Sequence, residues 1–166
     1  MNAKSPLTIL AVAAFLHLGC APAPAPTPVA DPAALIEAAE QLDREFMAAF
    51  NNRDVEALNN CYWNSPDTIL FPPDALQHRG IESIRAYHAA TLASMPEGAK
   101  LEVIESHQTP VGDAVAGAGL FRLTIPGEDG PTVMEGRFSD VKAERDGKWV
   151  YMVDHASFAP APPPAE

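Results

Sequence analysis

The first part of the chain alternates apolar and charged positions with the period of a helix. Apolar residues recur there every three to four positions: Leu35, Ala39, Leu42, Phe46 and Phe50. This spacing predicts a long amphipathic helix over residues 32–51, with the charged residues Glu37, Glu40, Asp43 and Arg44 on its other side. Asp31 is expected to cap the helix, and Pro32 suits its first turn.

Two shorter helices and one short strand are predicted next. Asp54 can cap a helix over 55–60, and an apolar repeat predicts a third helix over 81–95. Between them, residues 68–71 read as a short strand that ends at two prolines.

After Gly98 the period changes from that of a helix to that of a strand. Four β-rich segments, separated by Gly-, Pro- and Asp-containing turns, are predicted over 100–108, 114–125, 132–144 and 149–158. Helices followed by an antiparallel meander indicate an α+β fold, in which three N-terminal helices cover one face of a sheet of four long strands and one short strand.

The two ends of the chain differ in composition from the middle. Residues 7–18 form an apolar run of about twelve residues, which is too short to span a bilayer and typical of a signal peptide. Residues 1–19 are therefore predicted to be a signal peptide and 32–158 the domain. The Pro-rich segments 20–31 and 159–166 are predicted to be an extended linker and a disordered tail.

Gly19-Cys20 resembles the end of a bacterial lipobox, in which the cysteine becomes lipidated, although His17 stands where leucine is usual. We expect a periplasm-facing lipoprotein anchored through Cys20. Because Ala21 rather than Asp follows this cysteine, the outer membrane is favoured over the inner one. A cleaved signal peptide and a soluble, exported protein are the alternative.

Charge and motif content narrow the possible functions. Acidic residues outnumber basic ones 22 to 11, which disfavours nucleic-acid binding and leaves the lipid anchor as the membrane attachment. No phosphate-binding glycine loop or nucleophile motif is present, so no cofactor is expected. His78, His88, His107 and His155 are too dispersed to predict a metal site, and Cys61 is expected to be a buried, unreactive thiol.

Several segments, in this order, resemble the SnoaL-like, ketosteroid-isomerase-like branch of the nuclear transport factor 2-like superfamily. They are residues 50–58, 67–71, 80–84 and 146–157. The resemblance implies a cone-shaped fold around an apolar pocket and, in many members, a homodimer formed through the sheet. It does not imply one function, because the superfamily includes isomerases, cyclases, dehydratases, epoxide hydrolases and proteins without catalytic activity.

The residues that ketosteroid isomerases use for catalysis are mostly missing. By this resemblance the catalytic base falls on Phe71, and the tyrosine that stabilises the oxyanion falls on Phe46. The third position falls on Ser139 or Asp140. Neither phenylalanine can transfer a proton or donate a hydrogen bond, so ketosteroid isomerisation is not expected.

Other polar residues could serve a different reaction in the pocket. The candidate catalytic residues are Asp154 or His155 as base, and Arg137 as the group that stabilises developing negative charge. Strict alternation places Asp154 with Val150 and Met152 and turns His155 to the opposite face. The candidate pocket residues are Tyr62, Trp63, Asp67, Tyr87, His88 and Arg122. For each of them, a purely structural role is the alternative.

Three functions remain open from the sequence. The first is binding of a small apolar or amphipathic molecule without turnover. The second is an isomerase, cyclase or dehydratase that uses the candidate catalytic residues. The third is a dimeric interaction module on the cell envelope, with no cavity and an apolar outer sheet face.

Overall fold

A computed structural model describes residues 31–159 of the chain. These residues contain three helices and six strands. In chain order they are α1 (Pro32–Asn51), α2 (Val55–Asn60), β1 (Ile69–Phe71), β2 (His78–Arg79), α3 (Ile81–Ser94), β3 (Lys100–Val111), β4 (Ala114–Ile125), β5 (Thr132–Arg145) and β6 (Lys148–Phe158). The predicted signal peptide, Cys20, and nearly all of the linker and tail lie outside the described residues.

Helix α1 begins as its sequence predicts. The Asp31 carboxylate accepts a hydrogen bond from the Ala33 amide at 3.0 Å, and proline occupies the first turn. Its buried stripe consists of Leu35, Ala39, Leu42 and Ala49. Helix α1 packs against β3, α2 packs against α1, and α3 packs mainly against α2.

The strands form one sheet in the order β2-β1-β6-β5-β4-β3. The expected sheet of four long strands and one short strand is therefore incomplete, because β2 adds a sixth strand. It is also not purely antiparallel, because β1 runs parallel to β6. The two-residue strand β2 is too short to give an alternation signal, and α3 follows it, so the three helices are not consecutive.

A β-bulge in β6 decides which side chains reach the interior. Tyr151 pairs with Lys142 and Val153 pairs with Val141, so Met152 is an extra residue without a partner on β5. One extra residue reverses the alternation beyond it. The prediction that Asp154 shares a face with Val150 is therefore wrong, because Asp154 lies on the same face as Tyr151.

Two cross-strand pairs of glycine and phenylalanine shape the inner face of the sheet. Gly119 lies opposite Phe138, and Gly136 lies opposite Phe121. A β-carbon at either glycine would collide with the ring of its partner. The absence of a side chain at these positions lets the rings lie across the neighbouring strand, beside the interior that α1 and α3 cover.

Among residues 31–159, no helix is long and apolar enough to cross a membrane. Cys61 is buried as expected, and burial raises the pKa of its thiol to about 12. The thiol therefore stays protonated at neutral pH.

Candidate functional site

A cavity of about 310 Å³ lies between the helices and the inner face of the sheet. Most of its wall is apolar and comes from α1, α3 and the long strands. Representative side chains are Phe46, Phe50, Leu92, Phe121, Met134 and Phe138. A cavity of this size and composition fits the hydrocarbon part of a small molecule.

Polar groups in the cavity wall include the Asp154 carboxyl on β6. Tyr62, which follows α2, donates its hydroxyl to Asp154 Oδ2 at 2.5 Å. Burial raises the pKa of Asp154, and the hydrogen bond from Tyr62 opposes that shift. Burial and the neighbouring Asp154 raise the pKa of Tyr62 well above its ordinary value, so the phenol remains a donor.

Asp140 on β5 stands directly opposite Asp154 and also lines the cavity. Side chains at such positions have β-carbons about 5 Å apart, so the two carboxyls face the cavity as neighbours. Burial is the main reason that the pKa of Asp140 is raised to about 7, and the charges of Asp154 and Asp43 add to the shift. Gly117, across from Asp140 on β4, has no side chain and leaves room for its carboxyl.

A fully buried lysine lies behind this pair. Lys142 Nζ is 2.7 and 2.8 Å from the two carboxylate oxygens of Asp43, and it donates to Gln108 Oε1 at 3.2 Å. Tyr151 donates to the same Asp43 carboxylate at 2.5 Å. Lys142 Nζ is also 3.2 Å from Asp140 Oδ1, but that oxygen has no aligned hydrogen bond. The attraction between Lys142 and Asp140 is therefore electrostatic.

His88 on α3 also lines the cavity and is uncharged at neutral pH. Burial lowers its pKa to about 4. Its Nδ1 lies 2.8 Å from Asn59 Oδ1, an acceptor, which places the ring proton on Nδ1 and leaves Nε2 as an acceptor. The rings of His88 and Tyr62 are 5.0 Å apart.

The exposed side of the cavity is formed by the segment after β1 and by α3. Tyr87 donates to Asp74 Oδ1 at 2.9 Å, and both residues line the cavity with Pro72 and Pro73. The Tyr87 ring stacks on His78 with centroids 4.6 Å apart. The hydrogen bond to Asp74 ties the loop between β1 and β2 to α3, and the ring contact ties β2 to α3.

The structure brings only part of the predicted catalytic set into the cavity. Asp154 lines it, whereas Arg137 and His155 lie on the opposite face of the sheet. There Arg137 Nε donates to Ser157 Oγ at 3.2 Å, and His155 Nδ1 lies 3.4 Å from Ser139 Oγ. The prediction named either Asp154 or His155 as the base beside Arg137, and the structure places Asp154 on the inner face of the sheet and Arg137 with His155 on the outer face.

The predicted pocket residues divide in the same way. Tyr62, Tyr87 and His88 line the cavity, whereas Trp63, Asp67 and Arg122 do not. Asp67 pairs with Arg79 at 3.0 Å, and Arg122 pairs with Glu135 at 2.6 Å, in both cases at exposed positions. The main-chain amide of Trp63 binds the Tyr151 carbonyl. The side chains of Asp67 and Arg122 thus have charged partners outside the cavity, and the Trp63 ring lies 5.8 Å from the Arg145 guanidinium.

Sequence reasoning missed Asp43 and Lys142 as parts of the site. Asp43 has charged neighbours on α1, but it also lies four residues after Ala39 and three before Phe46, which belong to the apolar stripe. Lys142 stands between Val141 and Ala143 on a β-strand. An ionisable residue within an apolar repeat was the available signal for each of them.

The positions that correspond to the catalytic residues of ketosteroid isomerases lie partly inside and partly outside the cavity. Phe46 lines the cavity, whereas Phe71 pairs with His155 on the outer face and leaves Leu70 as the inward residue of β1. Neither Phe71 nor Leu70 can act as a base. Of the two alternatives for the third position, Asp140 faces the cavity and Ser139 faces away from it.

This arrangement of helices on one sheet, enclosing a mainly apolar cavity, agrees with the comparison to known families. The SnoaL-like domain family matches residues 44–152, most of the described domain. The chain belongs to the SnoaL-like family. This result identifies the fold and the family, and many members have no characterised function.

Solved structures give the same fold. A nuclear transport factor 2-like superfamily protein from Salmonella enterica is 16% identical, covers 81% of this chain and 98% of its own, and has a TM-score of 0.70. A nuclear transport factor 2-like protein of unknown function from Pseudomonas putida is 22% identical, covers 80% and 90%, and has a TM-score of 0.68. At this identity the similarity supports the fold alone.

Proposed function

We propose that this SnoaL-like domain binds a small, mainly apolar molecule, with its hydrocarbon part in the cavity and its polar end at Asp140 and Asp154. The observation that carries the proposal is the open cavity of about 310 Å³ with apolar walls and a few convergent polar groups. An interaction module without a ligand would be expected to have no cavity. Here side chains do not fill the interior, which favours ligand binding over that alternative.

The apolar wall supplies most of the binding free energy. Burying about 200 Å² of apolar ligand surface contributes about 5 kcal/mol, part of which offsets the loss of translational and rotational freedom on binding. The carboxyl pair then selects among ligands by the hydrogen bonds it can make with their polar ends. Affinity and selectivity therefore come from different parts of the cavity.

Fluorescence titration with prodan, an uncharged dye whose emission shifts in apolar surroundings, tests this proposal. Ala156 lines the cavity, so Ala156→Phe should fill it and weaken dye binding at least about tenfold. The matched control is Ala118→Phe, which adds the same ring at an exposed position and should leave binding unchanged. Equal binding by both variants, or no binding by the wild type, would refute the proposal.

A second candidate function is proton transfer of the isomerase, cyclase or dehydratase type. The observation that favours it is a desolvated carboxyl, Asp154, that faces the cavity beside a phenol donor and a second carboxyl. Burial moves the pKa of such a carboxyl towards neutrality, where it can both take up and release a proton. Asp154 would act as the base, and Arg137 takes no part.

Exchange of the α-protons of β-tetralone in D₂O, followed by NMR, tests this candidate. The wild type should accelerate exchange, and Asp154→Asn should lower the rate at least about a hundredfold. Asp67→Asn, at an exposed carboxyl outside the cavity, should keep the wild-type rate. If Asp154→Asn exchanges as fast as the wild type, Asp154 is not the base.

Export, lipidation of Cys20 and homodimer formation stay predictions from the sequence. Mass spectrometry of the mature protein from bacterial membranes would detect a diacylated N-terminal cysteine, and Cys20→Ser should remove it. Light scattering after size-exclusion chromatography would give the mass of the assembly. A monomer would refute the expected homodimer.

A further inference from the structure

The charged groups in the cavity wall are all of one kind. Four carboxyl side chains line it, and no lysine or arginine of the described residues does: Asp43, Asp74, Asp140 and Asp154. The neighbouring His88 is neutral, as its lowered pKa shows. An anionic ligand would therefore find no positive charge in the wall to balance its own.

The buried lysine cannot provide that charge. Lys142 has no exposed side-chain surface and does not line the cavity. Its ammonium group is held by both oxygens of Asp43 and by Gln108, which together occupy its donors. Lys142 Nζ also lies 3.2 Å from Asp140 Oδ1, so this one ammonium group faces both Asp43 and Asp140, and it can balance the charge of only one of the three carboxyls Asp43, Asp140 and Asp154.

The carboxyl pair has unused capacity to accept hydrogen bonds. Asp140 is 5% exposed, and its Oδ1 has no aligned hydrogen bond, although Lys142 Nζ lies 3.2 Å away. Asp154 uses one oxygen to accept from Tyr62 and stands opposite Asp140 on the adjacent strand. An ammonium group has three donors and can bridge two carboxyls whose β-carbons are about 5 Å apart.

Aromatic rings stand beside the same end of the cavity. Phe46, Tyr62 and Tyr151 form a cluster with ring centroids 5.3 to 6.3 Å apart, and all three line the cavity. The faces of such rings attract a cation, because the ring quadrupole is negative above and below its plane. The whole chain has a net charge of −11, which attracts cations and repels anions.

We infer that the ligand of this cavity is an amphipathic amine, whose protonated nitrogen binds between Asp140 and Asp154 while its apolar body contacts the aromatic and aliphatic wall. The inference rests on the proposed binding function and specifies its ligand class. The nitrogen supplies the counter-charge that the cavity lacks. A carboxylate or phosphate with the same body is disfavoured, because its charge would lie beside the carboxyls of Asp140 and Asp154.

Three ligands with one aromatic body separate the contribution of charge from that of shape. They are α-naphthylmethylamine, α-naphthalenemethanol and α-naphthoate, titrated calorimetrically into the domain at about pH 8. The amine should bind at least about tenfold more tightly than the alcohol, because its hydrogen bonds are charge-assisted, and the acid should not bind measurably. Asp140→Asn and Asp154→Asn should each weaken amine binding about tenfold and leave alcohol binding within about threefold.

Amine binding should weaken as the pH falls. Amine binding uses ionised carboxyls, and burial raises the pKa of Asp140 to about 7. The groups around the pair are Asp43 on α1, Tyr62, neutral His88 on α3, and Lys142 and Tyr151 on the sheet. Lowering the pH from about 8 to 5.5 should weaken amine binding about tenfold, since Asp140 becomes protonated while a primary amine stays charged. Alcohol binding should not weaken.

The outcomes distinguish this inference from the proposed function. Prodan binding without preference for the amine, or with preference for the alcohol or acid, would overturn the inference and leave cavity binding intact. Absence of prodan binding as well would overturn both. Asp67→Asn is the control for loss of one carboxyl elsewhere. If either cavity variant fails to fold, the wild-type ligand series and its pH dependence still decide the question.

Discussion

The inner and outer faces of the sheet carry the same types of polar side chain in different surroundings. On the outer face, Arg122 and Glu135 form an ion pair at 2.6 Å whose side chains keep 42% and 55% of their exposure. On the inner face, Lys142 and Asp43 are paired at 2.7 Å, with 0% and 15% exposure. The distance between the charged atoms is nearly the same in the two pairs, but the outer pair is exposed to water and the inner pair is largely buried.

This difference in exposure determines which charged residues contribute strongly to the stability of the fold. Water screens the outer pair, so either partner can be lost at little cost. The inner pair is part of a cluster that also holds Asp140, Asp154 and Tyr151, where a lost partner leaves a desolvated charge behind. Burial also raises the pKa of two inner carboxyls, Asp140 and Asp154.

Removal of the buried lysine should have the largest effect. Lys142→Met keeps a similar volume but leaves Asp43 and Asp140 without their cation, and we expect the free energy of unfolding to fall by about 3–5 kcal/mol. Urea denaturation at about pH 7.5 would measure it. Lys100→Met, at an exposed position, is the control, and an equal loss in both variants would contradict the comparison of the two faces.

Asp140 should make stability depend on pH with a definite sign. Its pKa is about 7 when folded and about 4 when unfolded, so it stabilises the fold below pH 4, and this contribution is lost as the pH rises towards 7. Between about pH 4.5 and 7.5 the wild type should lose about 3 kcal/mol more than Asp140→Asn.

The contribution of His88 to stability changes with pH in the direction opposite to that of Asp140. The pKa of His88 is lowered to about 4, so its contribution is present above the unfolded pKa of about 6.5 and is lost as the pH falls towards 4. Both the wild type and Asp140→Asn retain His88, so its effect cancels when their urea denaturation curves are compared. Parallel pH profiles of the two proteins would show that Asp140 ionises normally.

Two tyrosines give a matched test of a smaller effect. Tyr62→Phe removes the donor to a buried carboxyl and should lower the free energy of unfolding by about 1–2 kcal/mol. Tyr87→Phe removes the donor to the exposed Asp74 and should cost about 0.5 kcal/mol or less. Chemical denaturation of both variants would check the order, and a larger loss for Tyr87→Phe would reverse it.

The smallest effect is expected on the outer face. Arg122→Ala should change the free energy of unfolding by less than about 0.5 kcal/mol, and less still at high salt, because its ion pair with Glu135 is exposed. Thermal unfolding at low and high ionic strength would measure the change. A loss comparable to that of Lys142→Met would mean that the outer face is covered in solution.

Local signals in the sequence were sufficient to predict most helices and strands, but they were insufficient to predict which side chains form the site. The cap of Asp31, the helical stripe of α1 and the turns between long strands depend on neighbours within a few residues, and these predictions agree with the structure. The face of Asp154 depends on the bulge at Met152, which has no distinctive sequence signal. The assignment of Arg137 to the pocket required knowledge of which face the helices cover.

The sequence by itself determined the α+β class, the family, the order of the helices and the four long strands, and the acidic balance of the chain. These follow from periodicity, turn chemistry and composition, which are local or global properties of the chain. Only the tertiary structure decided that Asp43, Asp140 and Asp154 meet at one cavity, with Lys142 buried behind them. They come from α1, β5 and β6, and their burial, with the raised pKa of Asp140 and Asp154, exists only once those elements pack together.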